Sequence, residues 1–285
     1  MIDDSFQDAA LVLVGHGSTL NADSAAPTHM HADELRRRGL FAQVLVCFWK
    51  EEPTVGGVLR GAFAPRVFIV PLFISEGYFT EQVIPRELGL CRNGQMDFPR
   101  VQRRGGQTLH YCGPVGTHPS MTEALLARAR AVVSQQSSPR PPLPAETALF
   151  IAGHGTGNNE NSRKAIERQV ELIRARGEYA EVHAAFMEEE PRIADCWRTA
   201  RSANLVMVPF FISDGLHSHE DIPVMLGEPA AEVQARFKAG QPTWQNPTER
   251  QGRRLWYAPS IGGEPGLAEV IMERVRERAD DEKTA

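Results

Sequence analysis

Apolar residues in this chain fall into runs of five to eight, each ending at a glycine or proline and each followed by a longer segment of mixed charge. In the second half the runs are Ala148–Ala152, Val182–Phe186, Leu205–Ile212 and Leu255–Ala258. They are rich in Val, Ile, Leu and Phe and show no polar alternation, which suits parallel strands covered on both faces. The segments 161–176, 191–203 and 266–278 carry apolar residues at helical spacing with charges elsewhere. Pro53 and Pro191 sit where a helix can begin without losing a backbone donor. Strand and helix in alternation, joined by right-handed crossovers, predict α/β sheets with helices on both faces.

The pattern occurs twice. At an offset of 138 residues LVLVGHGST (11–19) falls on LFIAGHGTG (149–157), VLVCFWKEEP (44–53) on VHAAFMEEEP (182–191), VFIVPLFISEG (67–77) on LVMVPFFISDG (205–215), and VIP (83–85) on DIP (221–223). Four matches in one register mean duplication. A later match, HYCGPVGTHP on WYAPSIGGEP, needs an offset of 146, so the second half carries eight extra residues in the polar stretch from about Glu228 to Arg253, which reads as a surface excursion. The expected fold is two similar α/β lobes, each a four-stranded parallel sheet with helices on both faces. Their expected bounds are 1–135 and 147–285, joined by a Pro- and Ser-rich linker at 136–146.

The 285 residues are 42% hydrophobic and 24% charged, enough for a filled core, and the net charge of −5 leaves no basic field for a nucleic-acid partner. The longest apolar runs, such as Val67–Ile74, are strand-sized and predict no membrane span. The acidic amino terminus lacks a signal-peptide layout, and four scattered cysteines read as free thiols, so a cytoplasmic setting is expected.

In open parallel sheets ligands bind beyond the carboxyl ends of strands. Gly153-His154-Gly155 ends the first strand of the second half, and Ser213-Asp214-Gly215-Leu216-His217 follows the third. In a 2-1-3-4 strand order these strands are neighbours, about 4.8 Å apart, so both imidazoles can face one small space. Neutral imidazole binds divalent transition metals and accepts protons near neutral pH. Glu188 ends the second strand. In the first half His16 is kept, but Lys50, Phe79 and Val83 stand where the second half has Glu188, His217 and Asp221. Three polar positions are lost together, so the second half is the better candidate for chemistry. Of the remaining histidines, His29, His31 and His219 read as surface groups, and Phe79 as core or as a platform for a flat ligand.

These residues resemble the sirohydrochlorin chelatases of the CbiX and CbiK type. The family's G-H-G-[ST] turn is matched by Gly153-His154-Gly155-Thr156. Its segment after the second strand is resembled by Ala185-Phe186-Met187-Glu188 ahead of Pro191. Its most specific motif is matched by Pro209, Phe211, Gly215, His217, Asp221, Ile222 and Pro223. The resemblance implies an enzyme, a lyase that inserts Co²⁺ or Fe²⁺ into a sirohydrochlorin-like tetrapyrrole in cobalamin or siroheme synthesis, with the macrocycle between two flavodoxin-like lobes. It implies that His154 and His217 bind the metal and, with Glu188, serve catalysis. Arg163, Lys164 and Arg192 are expected to meet the substrate's peripheral carboxylates, and Ser213 is a further candidate contact. No P-loop sequence is present and no organic cofactor is expected. Two imidazoles and a carboxylate suit Ni²⁺ and Zn²⁺ as well. The alternative is a non-catalytic metal or tetrapyrrole carrier on a degenerate chelatase fold, which binds stoichiometrically where an enzyme turns over.

Overall fold

The structure is a computed structural model that describes residues 6–19, 22–92, 95, 97–135, 140–155 and 160–284. The first half runs β1 (Ala9–Gly15), α1 (Ala26–Arg38), β2 (Gln43–Phe48), α2 (Val55–Val58), β3 (Arg66–Pro71), α3 (Ile84–Glu87), β4 (Val101–Arg104), β5 (Gln107–Tyr111) and α4 (Met121–Ser134). The second repeats it as β6 (Thr147–Gly153), α5 (Glu160–Arg176), β7 (Glu181–Phe186), α6 (Cys196–Thr199), β8 (Asn204–Pro209), α7 (Ile222–Met225), α8 (Ala230–Lys238), β9 (Thr248–Arg250), β10 (Arg253–Tyr257) and α9 (Leu267–Thr284).

Each half builds one sheet, ordered β2-β1-β3-β5-β4 and β7-β6-β8-β10-β9. Four strands of each are parallel in the expected order. The fifth, β4 or β9, is an antiparallel edge strand. The sheets are therefore five-stranded and mixed, not four-stranded. The added strands are short and largely uncovered, so they carry no apolar run to announce them. The central strands β1 and β6 are buried at all seven positions. Alternate residues supply the two faces: Ala148, Phe150 and Ala152 pack with Ile193, Trp197, Trp244 and Tyr257, while α4 and α5 cover the other face.

The compact units differ from the expected lobes. One comprises Met1–Ser120 with Pro265–Ala285, the other Met121–Glu264. Helix α9 thus belongs to the first unit and α4 to the second. The reason is visible in polar contacts as well as apolar ones. Arg274 of α9 is 8% exposed and donates to Pro114 O (3.0 and 2.8 Å) and Thr117 Oγ1 (2.7 Å). Thr122 of α4 donates to buried Gln169 of α5 at 2.7 Å. Part of the expected linker, 136–139, lies outside the described residues.

Three smaller expectations change. Residues 191–203 form only a short turn and α6, because Pro191 O accepts Phe186 N (2.9 Å) and Arg192 is still extended. The excursion at 228–253 contains α8, β9 and the buried residues Val233 and Trp244. His31, expected at the surface, is buried on the inner face of α1 beside Leu35.

Candidate functional site

The site edge of the second unit follows from strand pairing. β6 lies between β7 and β8, with Gly153 opposite Phe186 and Ala152 opposite Pro209. His154 is the first residue past β6. Two glycines let the chain turn there. A side chain on Gly153 would meet Ile166 Cδ1 at 2.1 Å, and Gly155 has φ +63 with its would-be Cβ 2.7 Å from Phe186. His154 O then accepts Met187 N and Glu188 N, both at 3.1 Å, which ties the turn to the end of β7. Thr156, the rest of the motif, lies outside the described residues.

His217 opens a π-helical turn, His217–Asp221, after the loop that leaves β8. Wide turns of this kind are often found at functional sites. Ser218 is buried at its centre. Its hydroxyl accepts Gly215 N (3.0 Å) and donates to Gly215 O (3.1 Å), while its carbonyl accepts the Tyr257 hydroxyl (2.8 Å). Sequence reasoning passed over this tyrosine. The repeat carries the signal, since Tyr111 donates to Thr80 O (2.6 Å) in the first unit, and Thr80 stands at the register position of Ser218.

The two imidazoles meet with ring centroids 5.0 Å apart and planes at 77°. Imidazole–metal bonds are about 2.0–2.1 Å, so two rings sharing one ion at roughly tetrahedral angles place their centroids about 5 Å apart. His217 Nδ1 is 2.7 Å from Asp221 Oδ2. An ionised carboxylate only accepts, so Nδ1 carries the proton and Nε2 presents its lone pair. His154 Nδ1 lies 3.5 Å from Glu188 Oε1, close enough for an ion pair when the ring is protonated, but it makes no hydrogen bond. Both rings are partly exposed, at 34% and 49%. Among the described residues no group of three or more His, Cys, Asp or Glu side chains is arranged to hold a metal. The edge is a pair of imidazoles, not a closed cage.

The expected substrate contacts fare differently. Arg163 donates to Glu189 (2.6 Å), Glu167 (2.9 Å) and Glu190 O, and its guanidinium lies 4.4 Å over the Phe186 ring. Hydrogen bonding to Glu189 and Glu167 holds it above its ordinary pKa. It pins α5 to the end of β7 and is not free to meet a carboxylate. Lys164 pairs with Glu160 at 2.8 Å on the exposed face of α5. Arg192 folds back on Glu190 (3.3 Å) and stays half exposed. Ser213 is half-buried in the loop ahead of His217. His219, expected to be solvated, is half-buried with its ring 5.7 Å from Phe237 of α8.

The first unit keeps the frame and changes the chemistry. Lys50 N donates to His16 O (3.0 Å), as Glu188 N does to His154 O. Phe79 holds the place of His217, its ring 5.3 Å from His16 at the same 77°. Phe73 and Trp49 lie within 6.2 Å of Phe79. His16 Nδ1 turns to Gly17 O at 2.9 Å. One imidazole among aromatic rings is no cation site.

A duplicated α/β unit with a glycine-flanked histidine past its first strand, and a second histidine turned toward it, defines the class of tandem chelatase-like proteins. The CbiX family model matches residues 10–132 and again 148–278, and the chain belongs to the CbiX family. A probable sirohydrochlorin cobaltochelatase of Halobacterium salinarum is 42% identical over 275 residues, 93% of this chain and 90% of the relative. A multi-domain protein of Deinococcus radiodurans with structural similarity to chelatases superposes with TM-score 0.75 at 32% identity, over 93% of this chain. This chain spans only 54% of that protein, which has two additional domains. The cobalt complex of the sirohydrochlorin chelatase SirB from Bacillus subtilis subspecies spizizenii shares the fold, with TM-score 0.62, 15% identity and 97% of each chain covered.

Proposed function

We propose that this protein is a sirohydrochlorin-type metallochelatase whose working edge is His154 and His217 of the second unit. The observation that carries the reading is the imidazole pair at 5.0 Å with Asp221 behind one ring. The family and the Halobacterium relative support the substrate class and favour Co²⁺ as the ion, with Fe²⁺ as the other candidate. Metal is substrate here, so few protein donors are an advantage: an ion held by two imidazoles and water can leave, whereas a closed set of four would keep it.

Insertion into a free-base macrocycle exchanges one divalent ion for two pyrrole protons. His217 Nε2 and a ring nitrogen of His154 hold the incoming ion. As each ring releases it, the freed lone pair can take a pyrrole proton. Asp221 fixes the tautomer of His217 and stabilises its protonated form; Glu188, 3.5 Å from His154 Nδ1, stabilises only the protonated form of that ring and, being 58% exposed, hands the proton to solvent. Arg192 and Ser213 are the substrate contacts that remain from the sequence. Arg163 acts by holding α5 to the strand end. The setting proposed is the cytoplasm; among the described residues no helix is long and apolar enough to cross a membrane.

The aromatic replacement around His16 favours one second reading, a carrier that binds metal or tetrapyrrole without turnover. Anaerobic metallation of sirohydrochlorin with Co²⁺ and Fe²⁺, followed by absorbance, tests both. Many equivalents converted per chain support the enzyme. Stoichiometric binding without release supports the carrier, and neither behaviour rejects both.

A further inference from the structure

The second unit carries a cationic edge remote from the histidines. β10 runs parallel to β8 and Arg254 pairs with Asn204, the first residue of β8, so the β9–β10 hairpin turn lies at the amino-terminal edge of the sheet. His217 follows the opposite end. Two cavities open beside the turn, of about 300 and 440 Å³. Arg250, Arg253 and Arg254 line the first, Arg198 and Arg253 the second, and Gln251 lines both. The only carboxylates in the two linings are Glu249 and Asp195. This excess of positive charge sits on a chain of net charge −5.

Arg198 is ion-paired with Asp195 at 2.9 Å, but the guanidiniums of the hairpin itself are positioned and not neutralised. Arg253 donates to Ala200 O (2.7 Å), and its Nε is buried without a hydrogen-bond partner. Arg254 donates to Asn204 Oδ1 (2.8 Å) and lies 5.5 Å from the Trp256 ring centroid. Among the described residues neither forms an ion pair. Arg250 is seated over Gly227, where a Cβ would lie 1.8 Å from its Nη1, and its approach to Glu228 is long at 3.9 Å because Arg236 holds that carboxylate at 3.0 Å.

The duplication supplies an internal control. At the same hairpin the first unit has Gln107 and Thr108 where the second has Arg253 and Arg254. Its turn is Gly105-Gly106, φ +56 and +84, which costs no side chain any strain. The second unit has Gln251-Gly252 there. Gln251 at φ +52 is the one non-glycine residue with positive φ among the described residues. The hairpin does not need that side chain to turn. It places a carboxamide between two arginine-lined cavities, and strain of this kind gathers at ligand sites.

We propose that this edge is a binding site for a small multivalent oxyanion, with Arg250 and Arg253, which face each other across the hairpin, gripping one anionic group, Arg254 on the other face of β10 meeting a second, and the Gln251 amide at the turn between them. Forked guanidiniums suit phosphate and carboxylate oxygens alike. The site is independent of the chelatase reading, and its test uses no metal. The metal-free full-length protein is titrated calorimetrically with pyrophosphate and, separately, citrate, at fixed ionic strength. One-to-one saturable binding of either is expected, and the better ligand tells phosphate chemistry from carboxylate. The double variant Arg253→Gln, Arg254→Thr installs the residues that the first unit tolerates at this hairpin; circular dichroism checks its fold. It should bind about tenfold or more weakly, since each lost charge-assisted bond contributes on that order. No saturable binding of either anion, or equal affinity in the variant, overturns the proposal. So does binding that added sodium chloride abolishes to the same degree in both proteins.

Discussion

Replacing Asp221 by alanine removes the carboxylate behind His217 and leaves both imidazoles in place. The bond is short, 2.7 Å, and spans one turn of the π-helical segment. A hydrogen bond to a charged group contributes about 1.5–3 kcal/mol when well shielded. Here the partners are 49% and 46% exposed, so solvent screening reduces the figure to about 1–1.5 kcal/mol. Every 1.4 kcal/mol is tenfold, so Co²⁺ affinity should fall about five- to tenfold, at the low end of what outer partners of ligating histidines contribute. Asp221→Asn keeps an acceptor oxygen without the charge and should lose only about half as much free energy. Affinity is read by anaerobic competition with a chromogenic chelator, and initial metallation rate by absorbance. Wild-type affinity in Asp221→Ala would refute the reasoning. So would complete loss, since Asp221 would then bind the ion itself and not merely orient the ring.

Other outcomes follow from the same geometry. His154→Ala or His217→Ala should abolish metallation while His16→Ala only slows it; a dead His16 variant beside an active His217 variant would move the working site into the first unit. Arg274→Met leaves the Pro114 carbonyl without its buried donors and should cost about 2–3 kcal/mol, read as a lowered urea midpoint; an unchanged midpoint would mean that Arg274 does not hold α9. Burial pushes the thiols of Cys47, Cys112 and Cys196 up to about 12, so at pH 8 only about one in ten thousand of each is thiolate. A thiol reagent should then label at most Cys91 rapidly in the native protein and all four after unfolding.

Much of this was readable from the chain because buried parallel strands need unbroken apolar runs. Thr147–Gly153 and Asn204–Pro209 are buried at every position, and the end of such a run marks where a ligand-facing residue emerges. That logic led to His154 past β6 and to His217 past β8. It could not reveal β4 and β9, which are short and uncovered at the sheet edge. It also misread His31, whose burial depends on which face of α1 turns inward. Nor could spacing show that Arg163 would be captured by Glu189 and Glu167, since the run of glutamates at 188–190 reads equally well as a solvated face. The assignment of α4 and α9 was illegible for a different reason: amphipathic periodicity says that a helix has a buried face, not which sheet receives it.

That assignment fixes an order of assembly during synthesis. The second unit is one continuous stretch, 121–264, and every strand and helix it needs has been made once residue 264 has left the exit channel. The first unit starts 120 residues earlier yet waits for 265–285. At about 5–20 residues per second the N-terminal sheet spends many seconds with the groove meant for α9 uncovered and Pro114 without the guanidinium of Arg274. The half that is translated first is therefore the half that finishes last. A ribosome stalled on a chain cut at residue 264 and extended by an unstructured tether long enough to span the exit channel should carry a protease-resistant second unit beside a first unit still open to cleavage.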